Sequence, residues 1–105
     1  MTPFELGWAA GYFEGEGTIT MRGVSSVALQ VASVDFDNLD HLQRSLGGKV
    51  YGPYGPYQPN RQPHWLWTVA SENAIRVLRI LLPYLGERRS NRAREVIEAS
   101  CLARV

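Results

Sequence analysis

Cysteine is almost absent from this chain. With Cys101 alone, no internal disulfide can form, and stability has to come from a packed core. Cys101 itself falls in an amphipathic pattern and is expected to be a small buried residue. No apolar run is long enough to span a membrane, and no signal-peptide pattern opens the chain. These absences suit a cytoplasmic (intracellular) protein with no membrane partner. Lysine is nearly missing too: Lys49 stands against ten arginines, and the net charge is only +1. Such a balance argues against a chain coated in positive charge. The arginines are clustered, however: Arg88, Arg89, Arg92 and Arg94 fall within seven residues. Arginine suits forked recognition of phosphates and guanine edges, yet Glu87, Glu95 and Glu98 lie among them and offer helical ion pairs instead. His41 and His64 are isolated from other metal-ligating residues, so no zinc site is expected. Nothing points to a small-molecule cofactor. The 105 residues, 45% of them hydrophobic, fit one domain over 1–105.

The most informative stretch runs from Gly7 to Ile19, GWAAGYFEGEGTI. A segment rich in small residues stops at Glu14-Gly15-Glu16-Gly17, and a strand-like run begins at Thr18. A helix end carries unsatisfied carbonyls and partial negative charge, which opposes an acidic side chain there by about 0.3–1 kcal/mol. Two glutamates at such an end must stand in solvent or meet a cation. Carboxylates with main-chain carbonyls are also the hard oxygen donors that Mg²⁺ takes. An ordinary amphipathic helix with a glycine cap and solvated glutamates would look similar.

Thr2-Pro3-Phe4-Glu5 is a helix start, with Thr2 as cap, Pro3 at the first helical position and Glu5 completing a capping box. In that helix Leu6, Ala9 and Phe13 offer apolar surface to the core, while Gly7, Ala10, Gly11 and Glu14 share a face that a second backbone could approach closely. Thr18–Arg22 and Val27–Ser33 read as strands joined by a tight turn. Asp35 is placed to cap a second helix with Phe36, Leu39, Leu42 and Leu46 on its apolar face, and Gly47-Gly48 ends it. Lys49-Val50-Tyr51 begins a third strand that runs into the repeat Tyr51-Gly-Pro-Tyr54-Gly-Pro-Tyr57. The fourth strand is His64–Val69. Ser71 is placed to cap a third helix, which Pro83 disturbs near its end. A last helix, from about Arg88 to Leu102, turns Ala93, Val96, Ile97 and Cys101 inward.

Ala9-Ala10-Gly11-Tyr12-Phe13-Glu14-Gly15-Glu16-Gly17 resembles the motif of the LAGLIDADG homing endonucleases, with Ala9 in place of the first Leu and Glu at both acidic positions. Leu29-Gln30-Val31, Leu39-Asp40 with Leu42, Leu46-Gly47-Gly48, Trp65-x-Trp67 and Leu82-Pro83-Tyr84-Leu85 followed by Arg88-Arg89 are similar to further family landmarks. The likeness extends over nearly the whole chain. It implies an α+β fold with an αββαββα core, a curved antiparallel sheet and an additional C-terminal helix.

The resemblance also implies chemistry. A chain with one acidic motif is expected to form a homodimer through the first helix, using Gly7, Ala10, Gly11 and Glu14. Two Glu16 carboxylates would then approach each other at the axis, with Mg²⁺ or Mn²⁺ offsetting their repulsion. Glu16 is the implied metal ligand and the Gly15 carbonyl a second. Arg88 is the implied electrostatic clamp on the scissile phosphate, since arginine does not readily act as a base. Gln30 matches a glutamine that faces the DNA and is the third residue implied in catalysis. Thr18, Thr20, Arg22, Ser26, Gln30, Lys49, Arg61, Gln62 and Trp67 are the implied contacts to double-stranded DNA. Trp65 and Trp67 share a face and are equally suited to a core. The activity so implied is site-specific phosphodiester hydrolysis in a protein of phage or mobile-element type. The short sheet and near-neutral charge leave two alternatives open: a DNA-binding regulator that does not cut, and an RNA-binding maturase.

Overall fold

The computed structural model describes residues 1–22, 26–55 and 59–103, with backbone alone for Arg22, Leu102 and Ala103. The elements follow the order α1 (Pro3–Glu16), β1 (Thr18–Arg22), β2 (Ser26–Ser33), α2 (Phe36–Leu46), β3 (Lys49–Tyr54), β4 (His64–Ala70), α3 (Ser71–Leu81), a 3-10 turn (Leu82–Tyr84) and α4 (Glu87–Ala103). The four strands form an antiparallel sheet in the order β1-β2-β4-β3. This is the α+β arrangement that the sequence led us to expect, with the additional C-terminal helix. The turn between β1 and β2, at 23–25, and Tyr57 of the tyrosine repeat lie outside the described residues.

Local chemistry accounts for most of the boundaries. The Thr2 hydroxyl accepts the Glu5 N–H at 3.1 Å and caps α1. Gly47 and Gly48, at φ +82° and +87°, end α2 in a conformation that side chains resist. Pro83 ends α3 rather than bending it, because the chain tightens at Leu82 into the 3-10 turn. The two other expected caps differ. Asp35 occupies the cap position of α2 without a side-chain hydrogen bond there. Ser71 is the first residue of α3, at φ +59°, and Ala70 holds the cap position.

Strand alternation divides the sheet cleanly. Val27, Leu29 and Val31 of β2 and Trp67 and Val69 of β4 are buried on one face against the helices, with Ile19, Met21 and Val50 packed beside them. Ala9, Ala10 and Phe13 of α1, Leu39, Leu42 and Leu46 of α2, Ala74, Ile75, Val77, Leu78 and Leu81 of α3, and Ala93 and Val96 of α4 complete that core. On α4 the inward row continues through Ser100 rather than Cys101, which is exposed, contrary to expectation; the Arg79 Nη2 donates to its sulfur at 3.5 Å. Adjacent helical residues differ by about 100° in direction, so a shift of one position is enough to exchange the buried residue.

Trp67 corrects the sequence reading most clearly. It is fully buried, meets Phe13 edge-on at a centroid distance of 6.5 Å, and donates its indole N–H to the Gly47 carbonyl at 2.9 Å. It therefore belongs to the core and is no DNA contact. Gly48 lies against the same strand, where an added Cβ would come within 2.6 Å of the Thr68 carbonyl. Trp67→Phe keeps an aromatic ring but leaves the Gly47 carbonyl without its donor. It is expected to destabilise the chain by about 1–3 kcal/mol, read as a lowered urea midpoint with an unchanged slope.

Candidate functional site

The acidic motif occupies the last turn of α1, and its two glutamates are treated differently. Glu16 is exposed. Glu14 is 38% exposed and turns toward the start of α4, where Arg89, only 17% exposed, reaches back to it. Arg89 donates Nε–H to the Glu14 main-chain carbonyl at 2.8 Å and Nη1–H to the Gly17 carbonyl. Its guanidinium carbon stands 5.8 Å from the centre of the Phe13 ring. The Glu14 carboxylate lies 3.6 Å from Arg89 Nε, within ion-pair range but beyond a hydrogen bond, and its Oε2 is buried without a hydrogen-bond partner. Of the two ways to accommodate carboxylates at a helix end, Glu16 uses solvent and Glu14 uses a cation. The sequence reading singled out Arg88 from the Arg88-Arg89 pair, and Arg89 is the residue that closes on the motif.

A cleft of about 430 Å³ opens beside this turn, lined by Gly17, Thr18, Ile19, Arg88, Arg89 and Arg92. Arg88 and Arg92 stand one helical turn apart on α4. Arg92 also lies 3.6 Å from Glu95, an exposed pair that constrains it little. Arg92 was not among the expected site residues. Its spacing from Arg88 was the available signal, and that spacing suits an ordinary solvated helix face equally well.

The face of the sheet opposite the core carries the other candidates. Thr18 pairs across the strands with Gln30, Gln30 with Thr68, and Thr68 with Lys49, so one polar row crosses all four strands. Thr20 lies on the same face of β1 as Thr18 and donates its hydroxyl to the Ala28 carbonyl at 3.3 Å. Arg22 pairs with Ser26 in the backbone ladder, and Ser26 is exposed. Arg61 and Gln62 are brought elsewhere. They are exposed and flank Ala32, Ser33 and Val34 at the end of β2. The polar row is flanked by small and apolar residues: Ala28 and Ala70 on one side, Ala32, Leu66 and Tyr51 on the other.

The expected interface face of α1 needs revision. Ala10 is 2% exposed and packs into the chain's own core, and Glu14 is engaged with Arg89. The outward stripe is instead Phe4, Gly7, Gly11 and Gly15, with Phe4 79% exposed. A Cβ added at Gly7, Gly11 or Gly15 would meet nothing within 4 Å. Gly17 is different. Its φ of −81° suits any residue, yet a Cβ there would lie 2.3 Å from the Phe13 ring and 2.6 Å from the Phe13 carbonyl. As a metal centre the turn offers the Glu16 carboxylate and main-chain carbonyls. Among the described residues, no group of three or more His, Cys, Asp or Glu side chains could hold a metal ion.

No family model and no curated protein matches this chain. Solved structures do. The homing endonuclease I-CvuI, in complex with its target in the presence of calcium, superposes with a TM-score of 0.68 at 22% identity, covering 90% of this chain and 64% of that one. The same enzyme in complex with the I-CreI target in the presence of magnesium, with the DNA not cleaved, gives 0.66 at 22% identity over 90% and 64% of the two chains. The archaeal intron-encoded homing endonuclease I-Vdi141I complexed with DNA gives 0.64 at 19% identity, over 90% of this chain and 67% of that one. The chain therefore has the fold of the LAGLIDADG homing endonucleases, as its motif implied, and spans just under two-thirds of the length of I-CvuI. No helix among the described residues is long and apolar enough to cross a membrane.

Gly17→Ala tests how tightly the turn is packed. The methyl group has to displace the Phe13 ring or its carbonyl, and a loss of about 1–3 kcal/mol is expected. Gly15→Ala, two residues away with nothing of its own chain within 4 Å of the added methyl, should cost the folded chain far less. Thermal unfolding of the two variants side by side checks the contrast.

Proposed function

We propose that this chain, acting as one domain over residues 1–105, is a homodimeric, metal-dependent endonuclease that cuts double-stranded DNA at a specific site inside the cell. The observation that carries this reading is the placement of the exposed Glu16 immediately before a cleft lined by three arginines, at the edge of an uncovered sheet face. The comparisons support it through fold: each is a homing endonuclease in complex with DNA.

Pairing of two copies through α1 is supported by its glycines. Gly costs about 0.8–1.0 kcal/mol relative to Ala in a helix interior. Gly7, Gly11 and Gly15 incur that cost where the chain itself leaves room for a side chain. α1 is also apolar on more than one side, with Phe4 outward and Ala9, Ala10 and Phe13 inward. A helix apolar all round is one that is covered all round. A second α1 lying along the glycine stripe would supply that cover and bring two Glu16 residues together.

The donor set fits a hard divalent cation. Glu16 and the Gly15 carbonyl of each copy would hold Mg²⁺ or Mn²⁺, with phosphate oxygens supplying the rest of the shell. When bound, such an ion polarises a phosphodiester and acidifies water. The protein's own residues do the remainder. Arg88 and Arg92 grip phosphate oxygens in the cleft and offset charge that builds during displacement. Gln30, in the polar row beside Thr18, reaches toward the DNA backbone or bases. Thr18, Thr20, Ser26 and Lys49 face the groove, Arg22 follows them on β1, and Arg61 and Gln62 hold the duplex at the far end of β2.

Two measurements test this. Selection from a randomised duplex library with Mg²⁺ should yield double-strand cuts that Glu16→Gln abolishes while retaining the same selected sequence. Enrichment without cutting by both proteins would make the chain a DNA-binding regulator, and preference for structured RNA would make it a maturase. Gly11→Leu should leave the fold intact, because the side chain enters open space, yet convert the dimer to a monomer in sedimentation and abolish cutting. A monomeric wild-type chain that cuts both strands would end the dimer reading.

A further inference from the structure

Arg89 is better placed to shape the acidic turn than to touch DNA. It is mostly buried, and its donors are aimed back into the protein: one at the Glu14 carbonyl, one at the Gly17 carbonyl. These carbonyls bracket Gly15 and Glu16. Neither bond takes the Gly15 carbonyl. The preceding carbonyl of the helix, Phe13, is already held by the Gly17 N–H at 2.7 Å. The main chain is thus pinned on both sides of the two residues assigned as cation donors, and those two are left out of the pinning. We propose that Arg89 is a positioning residue for the cation site: its forked guanidinium fixes the path from Glu14 to Gly17, so that the Gly15 carbonyl and the Glu16 carboxylate are presented together. This rests on the reading of Glu16 and Gly15 as ligands given above.

The chemistry of arginine is required for this. Nε and Nη1 lie in one rigid plane and reach two carbonyls three residues apart, while the same plane packs near the Phe13 ring. A lysine ammonium is a point charge on a flexible stem and cannot span both carbonyls while filling that space. The ion pair with Glu14 is the lesser part of the contact, being longer and partly open to water. Gly86 shows how the parts fit. A Cβ there would come within 2.6 Å of Glu14 Oε1 and so displace the carboxylate tip, which is flexible, without touching the carbonyl bonds.

Four variants of the full chain separate positioning from simple support: Arg89→Lys, Arg89→Met, Gly86→Ala, and the charge swap Glu14→Arg with Arg89→Glu. The readouts are the amide line widths of Gly15, Glu16 and Gly17 in the free protein, Mn²⁺ affinity of the DNA complex by electron paramagnetic resonance, DNA affinity in EDTA, and melting temperature. Measurements are made well below the lowest melting point. In Arg89→Lys and Arg89→Met the three amides should broaden or shift, and Mn²⁺ affinity should fall at least tenfold, with DNA affinity within threefold of wild type. Gly86→Ala should keep Mn²⁺ affinity within threefold. The swap restores opposite charges but no carbonyl bonds, and should fail to restore Mn²⁺ binding. Unchanged amides in Arg89→Met overturn the proposal, as does a swap variant that binds Mn²⁺ like wild type, or a loss that merely follows the melting temperature. If the wild-type complex binds no Mn²⁺, the ligand reading of Glu16 fails, and the amide spectra still decide whether Arg89 orders the turn.

Discussion

The structure depends on a reciprocal exchange of charge between two helix ends. Glu14 sits in the last turn of α1 and Arg89 in the first turn of α4, each at the end of its own helix that disfavours its charge by about 0.3–1 kcal/mol. Folded together, each lies at the end of the other helix that favours it. Arg89 supplies donors to the carbonyls that α1 leaves unsatisfied, and Glu14 lies against Gly86, where α4 begins. Removing either partner therefore does more than delete an ion pair, since it exposes an uncompensated helix end beside the acidic motif. Ser90 strengthens the same junction by donating its hydroxyl to the Leu85 carbonyl at 3.0 Å, which ties the first turn of α4 to the segment before it. The start of α4, the end of α1 and the entry into β1 consequently form one unit. The arginine cleft is set on that unit.

How much of this could be read from the sequence follows from the range of each interaction. The Thr2 cap, the Gly47-Gly48 stop and the alternation in β2 and β4 are decided by residues a few positions apart, and all were legible. Which face of the sheet packs inward was legible only in part. Thr18, Thr20 and Arg22 visibly alternate with apolar residues, but Trp65 and Trp67 suit either a core or a nucleic-acid surface until β4 is placed between β2 and β3. The bond from Arg89 to the Glu14 carbonyl spans 75 residues, and nothing local distinguishes it from Arg88. The small-residue face of α1 was offset for a related reason. Ala10 and Gly15 are both small, so helical periodicity cannot tell which of two adjoining stripes faces the core. Cys101 and Ser100 were confused in the same way.

The open sheet face reads differently from a strongly basic nucleic-acid surface. Its central row offers two hydroxyls, an amide and one ammonium, and its neighbours include three alanines and a leucine. If the face reads DNA as proposed, direct readout by long side chains is limited to a few positions per chain. Apolar residues in a groove still contribute, since thymine methyl groups offer matching surface. Arginine is instead concentrated in the cleft of α4, where Arg88 and Arg92 would, on the proposed function, address phosphate rather than base. On the function proposed above, positioning on the backbone and chemistry at Glu16 share one end of the chain, and sequence discrimination is spread thinly over the rest.

That division gives the second copy a physical role in the proposed activity. One chain contributes one exposed carboxylate and one adjacent main-chain carbonyl, and a Mg²⁺ ion held by so few protein oxygens fills its shell with water and phosphate oxygens. It also contributes a narrow set of base contacts, each good bidentate pair worth about 1–3 kcal/mol of discrimination. A two-fold pairing along the glycine stripe doubles both quantities at once. It brings a second Glu16 to the axis and extends the sheet face over a second half of the site. The three exposed glycines make sense in the same terms. Each weakens α1 as an isolated helix, and a closely apposed helix is the arrangement in which their lack of side chains becomes useful.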